Sequence, residues 1–192
     1  MKKEFTAIIL AAATALTLAG CGSNPTEETE TVVETSEQTE VQTEQTVNMA
    51  NPWTEASTMD EAAEGAGVGS LILTEDGTET AAGMLNWYGY RYMDGIAEVE
   101  GGIGTATITV RKGLASLGDI SGDYTAYAYT WDMEVDGIDV TCSGNEEGQA
   151  MLFTWSAGDY NYSVMVRGQG DLYETYGLAS DTVTPLVSEW IS

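Results

Sequence analysis

The sequence predicts an α+β domain that is mostly β: an antiparallel meander with one dry and one wet face, packed against two helices. Three observations carry this. Between residues 84 and 166, apolar and polar residues alternate with period two in a series of short runs. Asp94-Gly95, Asp136-Gly137 and Ala157-Gly158 punctuate those runs as tight-turn pairs. On either side of the block, the apolar spacing changes to that of a helix.

The first helix is predicted at Ser57-Thr58-Met59-Asp60-Glu61. Thr58 and Glu61 have the spacing of a capping box, and Asp60 and Glu61 suit the positive end of the helix dipole. Ala62, Ala63 and Glu64 continue it, Gly65 and Gly67 are expected to end it, and Met59, Ala62, Ala63 and Ala66 are available for burial.

The strands follow. Met84 to Met93 carries Trp87, Tyr88, Tyr90 and Tyr92 and turns at Asp94-Gly95 into Ile96 to Glu100. Strict alternation puts Tyr88, Tyr90 and Tyr92 on one face and Trp87 on the other, so at least one aromatic is expected exposed or under a loop. Gly101-Gly102-Ile103-Gly104 is expected to break or bulge that strand. Ala106, Ile108 and Val110 then alternate with threonines, and residues 113–123 read as a loop. Tyr127, Tyr129, Trp131, Met133 and Val135 form the clearest strand face, with Ala128, Thr130, Asp132 and Glu134 opposite. Asp136-Gly137 turns it into Ile138, Val140 and Cys142. After a polar loop over residues 143–148, Met151, Phe153 and Trp155 make another inner face. Tyr160, Tyr162, Val164 and Val166 make the last. Hairpins in sequence imply a meander.

In the tail, Val183, Leu186, Val187 and Trp190 fall at i, i+3, i+4 and i+7, which predicts a helix from about Ser180 to Ile191 on the apolar face of the sheet. Pro185 is expected in its first turn.

Ahead of the domain, Met1-Lys2-Lys3-Glu4-Phe5 and the apolar run from Ala7 to Ala19 have the form of a secretory signal. The run is shorter than the roughly 20 apolar residues a spanning helix takes. Leu18-Ala19-Gly20-Cys21 resembles the bacterial lipobox, which implies a thioether-linked diacylglycerol on Cys21; an ordinary signal with an incidental cysteine is the alternative. Two acyl chains suffice for stable anchoring. The expected organisation is a lipoprotein signal peptide over 1–20, a Thr/Glu-rich tether over 21–50 and one β-rich domain over 51–192. The tether, with seven glutamates and neither basic nor aromatic residues, is expected to be disordered. It has a reach of roughly 30 Å. The expected address is the outer face of the cell membrane.

Thirty-one acidic residues oppose six basic ones, for a net charge of −25. Without the signal, only Arg91, Arg111, Lys112 and Arg167 remain to meet a phosphate, which excludes nucleic acid as a partner. Beyond Cys21 the sole cysteine is Cys142, whose alternation places it in the core with no second thiol to pair.

Four strings look alike to a known group: Asn51-Pro52-Trp53 with Thr58 to Ala63, Arg91 to Val99, Asp119 to Tyr124, and Gly158 to Ser163. Together they resemble a family of small secreted lipoprotein-type domains of unknown function from monoderm bacteria, related to lipoprotein-carrier folds. The resemblance covers most of residues 51–167; the tail departs, because the family ends in a more charged helix. It carries no catalytic residues over. It implies a strongly curved antiparallel sheet, an open half-barrel, clasping helices.

Catalytic signatures are wanting. Histidine is absent, which removes Ser–His and Cys–His pairs and histidine metal sites. Gly65-Ala66-Gly67-Val68-Gly69 has the wrong spacing for a dinucleotide loop and no helix after it. Paired carboxylates could serve a glycosidase, but so acidic a chain makes such pairs by chance. The expectation is a non-enzyme with no cofactor. Asp132, Glu134 and Asp136, followed by Gly137, sit at calcium-loop positions, but Ser143 stands where a bidentate glutamate belongs. A hairpin with an acidic outer face is the favoured reading, and weak calcium binding is the alternative. The aromatics read first as core. The sharper reading is that Trp87, Tyr90, Tyr129, Trp131 and Trp155 line a cleft for an apolar or peptide ligand. A surface-tethered binding module is therefore expected, or else an envelope sensor acting on another membrane protein.

Overall fold

The computed structural model describes residues 51–172 and 175–191. The proposed signal, Cys21 and the tether lie outside them. Thr58 opens the first helix, α1 (Met59–Ala66): its hydroxyl accepts the Glu61 N–H at 3.2 Å, and the Glu61 carboxylate accepts the Ser57 N–H at 2.7 Å. This is a capping box whose return bond lands one residue early. Gly67, left-handed at φ 70°, ends the helix. Gly65, expected to help end it, lies inside instead. The Tyr92 ring packs so closely on Gly65 that a Cβ there would stand 2.5 Å from Tyr92 Cζ.

The strands are β1 (Thr54–Glu55), β2 (Glu79–Thr80), β3 (Gly83–Met93), β4 (Ile96–Ile103), β5 (Ala106–Leu114), β6 (Tyr129–Val135), β7 (Ile138–Gly144), β8 (Gln149–Ala150), β9 (Leu152–Ala157), β10 (Tyr160–Gly168) and β11 (Leu178–Ala179). Among the described residues, nine of them form one curved, open antiparallel sheet. Its order is β1-β3-β4-β5-β10-β9-β7-β6, with β2 on β3 off that path. The small strands β8 and β11 pair with each other.

This order corrects the simple meander. Two runs of hairpins, β3-β4-β5 and β6-β7-β9-β10, join through β5 and β10, whose pairing runs from Tyr160↔Leu114 to Gly168↔Ala106. After β5 the chain makes a 3-10 turn at Ala115–Leu117, continues through a segment to residue 128, and re-enters at the far edge as β6. Tyr127, expected on the β6 face, belongs to that segment, where its hydroxyl donates to Asp123.

The bulge expected near Gly101 falls on the partner strand. Trp87 pairs with Gly101 and Gly89 with Glu100, which leaves Tyr88 as the extra residue. The extra residue shifts the phase by one, so Trp87 joins Tyr90 and Tyr92 on the dry face and Tyr88 is left 60% exposed. Gly101 is needed because a Cβ there would lie 2.6 Å from the Trp87 ring.

The dry face carries Val99, Ile108, Val110, Val140, Phe153 and Val164, all fully buried. Each contributes roughly 1.5–3 kcal/mol. The C-terminal helix α2 (Ser180–Trp190) buries Val183, Leu186, Val187 and Trp190, the stripe its spacing predicts. Pro185 lies in the second turn, past the first, so it has no N–H to offer the Asp181 carbonyl. Trp190 meets Trp87 with ring centroids 6.3 Å apart. Cys142 is fully buried, and burial together with the Asp132 charge pushes its thiol up to about 12.

Candidate functional site

The wet face is built by the complement of the same alternation. In β7, Asp139 and Thr141 alternate with buried Val140 and Cys142; in β9, Thr154 and Ser156 with Phe153 and Trp155; in β10, Asn161 and Ser163 with Tyr162 and Val164. Register lines them up. Thr141 stands opposite Thr154, Thr154 opposite Ser163, and Ser156 opposite Asn161. Short hydroxyl and amide side chains therefore form a continuous floor across three strands.

Gly118, Asp119 and Ile120 wall this floor on one side and Gly137 and Ile138 on another, enclosing a groove of about 560 Å³. Asn161 ties wall to floor: its amide donates to the Gly118 carbonyl at 2.7 Å, and its carbonyl oxygen accepts from Ser156 at 2.7 Å. Thr141 donates to Asp132 at 2.8 Å. Beneath the floor Trp155 stacks on Tyr162 at 5.0 Å, 4% exposed, and its indole N–H has no partner among the described residues.

Charge decides what the groove suits. The charged residues that line it are Asp119 and Asp139. The four basic residues of the domain are engaged elsewhere. Glu98, 1% exposed, accepts from Arg91 at 2.5 Å and from Arg111 at 2.6 Å, its cross-strand neighbours on either side. The Trp53 ring stacks over both guanidinium groups, 4.7 and 5.3 Å from its centroid. Arg111 also donates to the carbonyls of Ile120 and Ser121, which holds the groove wall against the sheet.

Arg167 pairs with Asp123 at 3.1 Å. Burial would raise the Asp123 carboxyl, but hydrogen bonds from Thr125 and Tyr127 and the Arg167 charge bring it below its ordinary value. Burial and the bond to Asp123 push Tyr127 up to about 12. Lys112 faces inward, donating to the Ser70 carbonyl at 2.8 Å and lying 4.3 Å from the Tyr160 ring centroid; burial lowers its pKa.

The residues singled out from sequence do not gather into one cleft. Trp87 is buried against α2, with its indole N–H on the Thr74 carbonyl at 2.9 Å. Tyr90 is partly buried against the core, as is Trp131 at the sheet edge, and Tyr129 is 45% exposed there. Trp155 lies against the groove, yet its stacked ring belongs to the core. The dry face that was to be an aromatic-lined cleft is filled by α1, α2 and the aromatics themselves. Asp132 and Glu134 share the wet face of β6, while Asp136 sits in the turn and accepts from Ser188. Among the described residues, no three acids or thiols come together as a metal ion would require.

The groove residues Thr154, Ser156, Asn161 and Ser163 are not among those the sequence singles out. Their signal was short polar residues, in place of long charged ones, in the wet phase of neighbouring strands. No family model, curated protein or solved structure matches the chain.

Proposed function

We propose that this chain is a lipid-tethered binding module on the outer face of the cell membrane, holding an uncharged, hydroxyl-rich ligand such as a glycan segment in the wet-face groove. The observation that carries the reading is the groove floor: hydroxyl and amide groups from three strands, with acids at the margin and no cation among the described residues that line it. Anionic ligands find no counter-charge there, and an acyl chain would bury the hydroxyl and amide groups of the floor without partners. The lipobox-like Leu18-Ala19-Gly20-Cys21 supports the address. A second reading, a regulatory partner of another envelope protein, draws support from the open edge of the sheet.

Titration calorimetry with neutral oligosaccharides, anionic oligosaccharides, peptides and fatty acids tests the ligand class. Saturable binding of a neutral oligosaccharide is expected, weakened at least about tenfold by Thr154→Val with Ser163→Ala, as loss of two hydrogen bonds predicts. Failure of every neutral glycan, or indifference to those substitutions, would sink the ligand assignment. The anchor is tested separately. Membrane partitioning and a diacylglycerol-sized mass on the N-terminal peptide should both vanish in Cys21→Ala.

A further inference from the structure

Strand β6 ends the sheet, and no described residue pairs with its far side. The turn before β7 says which groups it leaves open. Asp136 (φ 50°) and Gly137 (φ 83°) make a two-residue hairpin loop, so Val135 and Ile138 form its first hydrogen-bonded pair. Alternation from there turns the backbone of Met133, Trp131 and Tyr129 toward β7. The N–H and C=O groups of Thr130, Asp132 and Glu134 point outward.

An edge of seven residues is a template for another strand unless it is guarded. This guard has one sign: the exposed wet side carries Asp132 and Glu134 and no base. The other side carries Tyr129, exposed, with Trp131 and Met133 partly covered, an apolar row along the rim. A second copy pairing here would set acids against acids. The chain's own Glu-rich segment 22–49 would do the same.

We propose that the edge of β6 is a docking strand for an extended segment of a partner protein in which basic and apolar residues alternate. The bases face Asp132 and Glu134, the apolar residues cover Tyr129, Trp131 and Met133, and the outward backbone groups supply the ladder. The net charge of −25 steers such a segment inward. This site borders the groove, with which it shares the Thr141–Asp132 bond, but its ladder forms on the far side of β6.

Fluorescence anisotropy of the full-length chain in mild detergent, with a labelled seven-residue peptide alternating lysine and valine, tests it. The controls are the same residues in two blocks and a peptide alternating glutamate and valine. The alternating basic peptide is expected to bind at least about tenfold tighter than either control. Thr130→Pro removes an outward N–H and the exposed hydroxyl bond to Ser143 while leaving the backbone bonds to β7 and every charge in place, and should weaken binding about tenfold. Asp132→Asn with Glu134→Gln keeps the backbone and should weaken it as much while flattening its salt dependence. Near-UV circular dichroism confirms folding; if the proline variant does not fold, the charge variant decides. Equal binding of the blocked peptide would reduce the site to diffuse charge attraction and overturn the proposal. So would a folded Thr130→Pro that binds as before. A concentration-dependent dimer through this edge, or binding that appears only when residues 22–49 are deleted, would assign the edge to another occupant.

Discussion

The indole N–H of Trp190, at the end of α2, donates to the hydroxyl oxygen of Thr74 at 3.0 Å. Thr74 in turn donates to Glu189 at 2.7 Å, and its carbonyl accepts the indole of Trp87 at 2.9 Å. One connecting residue thus satisfies two buried tryptophans, one from the sheet and one from the helix laid on it. Thr74→Val keeps the shape but orphans the Trp190 N–H, so unfolding free energy should fall by about 1–3 kcal/mol. Thr74→Ser should retain most of it. Urea unfolding followed by tryptophan fluorescence checks both, and an unmoved midpoint in Thr74→Val would refute the bond.

Glu98 is the second point of leverage. Glu98→Gln leaves Arg91 and Arg111 facing an uncharged amide beneath Trp53, and Arg111 has little solvent to turn to. Removing one partner of a buried ion pair costs roughly 3–5 kcal/mol, and the partial exposure of Arg91 puts the expected loss at the low end. Arg91→Met, which removes the more exposed cation, should cost less. The reverse order of denaturation midpoints would show that Arg91, and not Glu98, is the centre of the cluster.

Gly65 reverses a propensity rule. Alanine in a helix interior is usually better than glycine by about 1 kcal/mol. Here its Cβ meets the Tyr92 ring, so Gly65→Ala should destabilise by roughly 1–3 kcal/mol. In a Tyr92→Leu background the same change should become neutral or stabilising. Additive effects across that double-mutant cycle would separate the two residues.

The pair Asp123 and Tyr127 sets a two-sided pH window. The Asp123 carboxyl is lowered in the fold, so its contribution is complete above its ordinary 3.8 and is lost as pH falls below that toward the folded value. Tyr127 is raised, so its contribution is complete below its ordinary 10.0 and is lost as pH rises toward about 12. The stability difference between the parent chain and Asp123→Asn should be flat from about pH 5 to 9 and shrink outside that range. A difference that grows on acidification would contradict the sign.

Period-two alternation, turn pairs and the i, i+3, i+4, i+7 stripe depend on neighbours along the chain. Hence Thr58 as a cap, the Asp136-Gly137 hairpin, buried Cys142 and the buried face of α2 were all legible in the sequence by itself. What needed the tertiary structure involves partners distant in sequence. The bulge at Tyr88 is decided by the Trp87 ring needing Gly101 opposite it, and it inverts the phase of the remaining strand. The pairing of β5 with β10, and with it the position of β6 at the edge, depends on which strands close over a shared core. The candidate site needed both, because its floor spans three strands and its wall comes from a segment that bonds from distant residues such as Asn161 and Arg111 hold in place. Aromatic residues mark the dry face, where area is buried. The groove lies on the other face because packing had already filled the first.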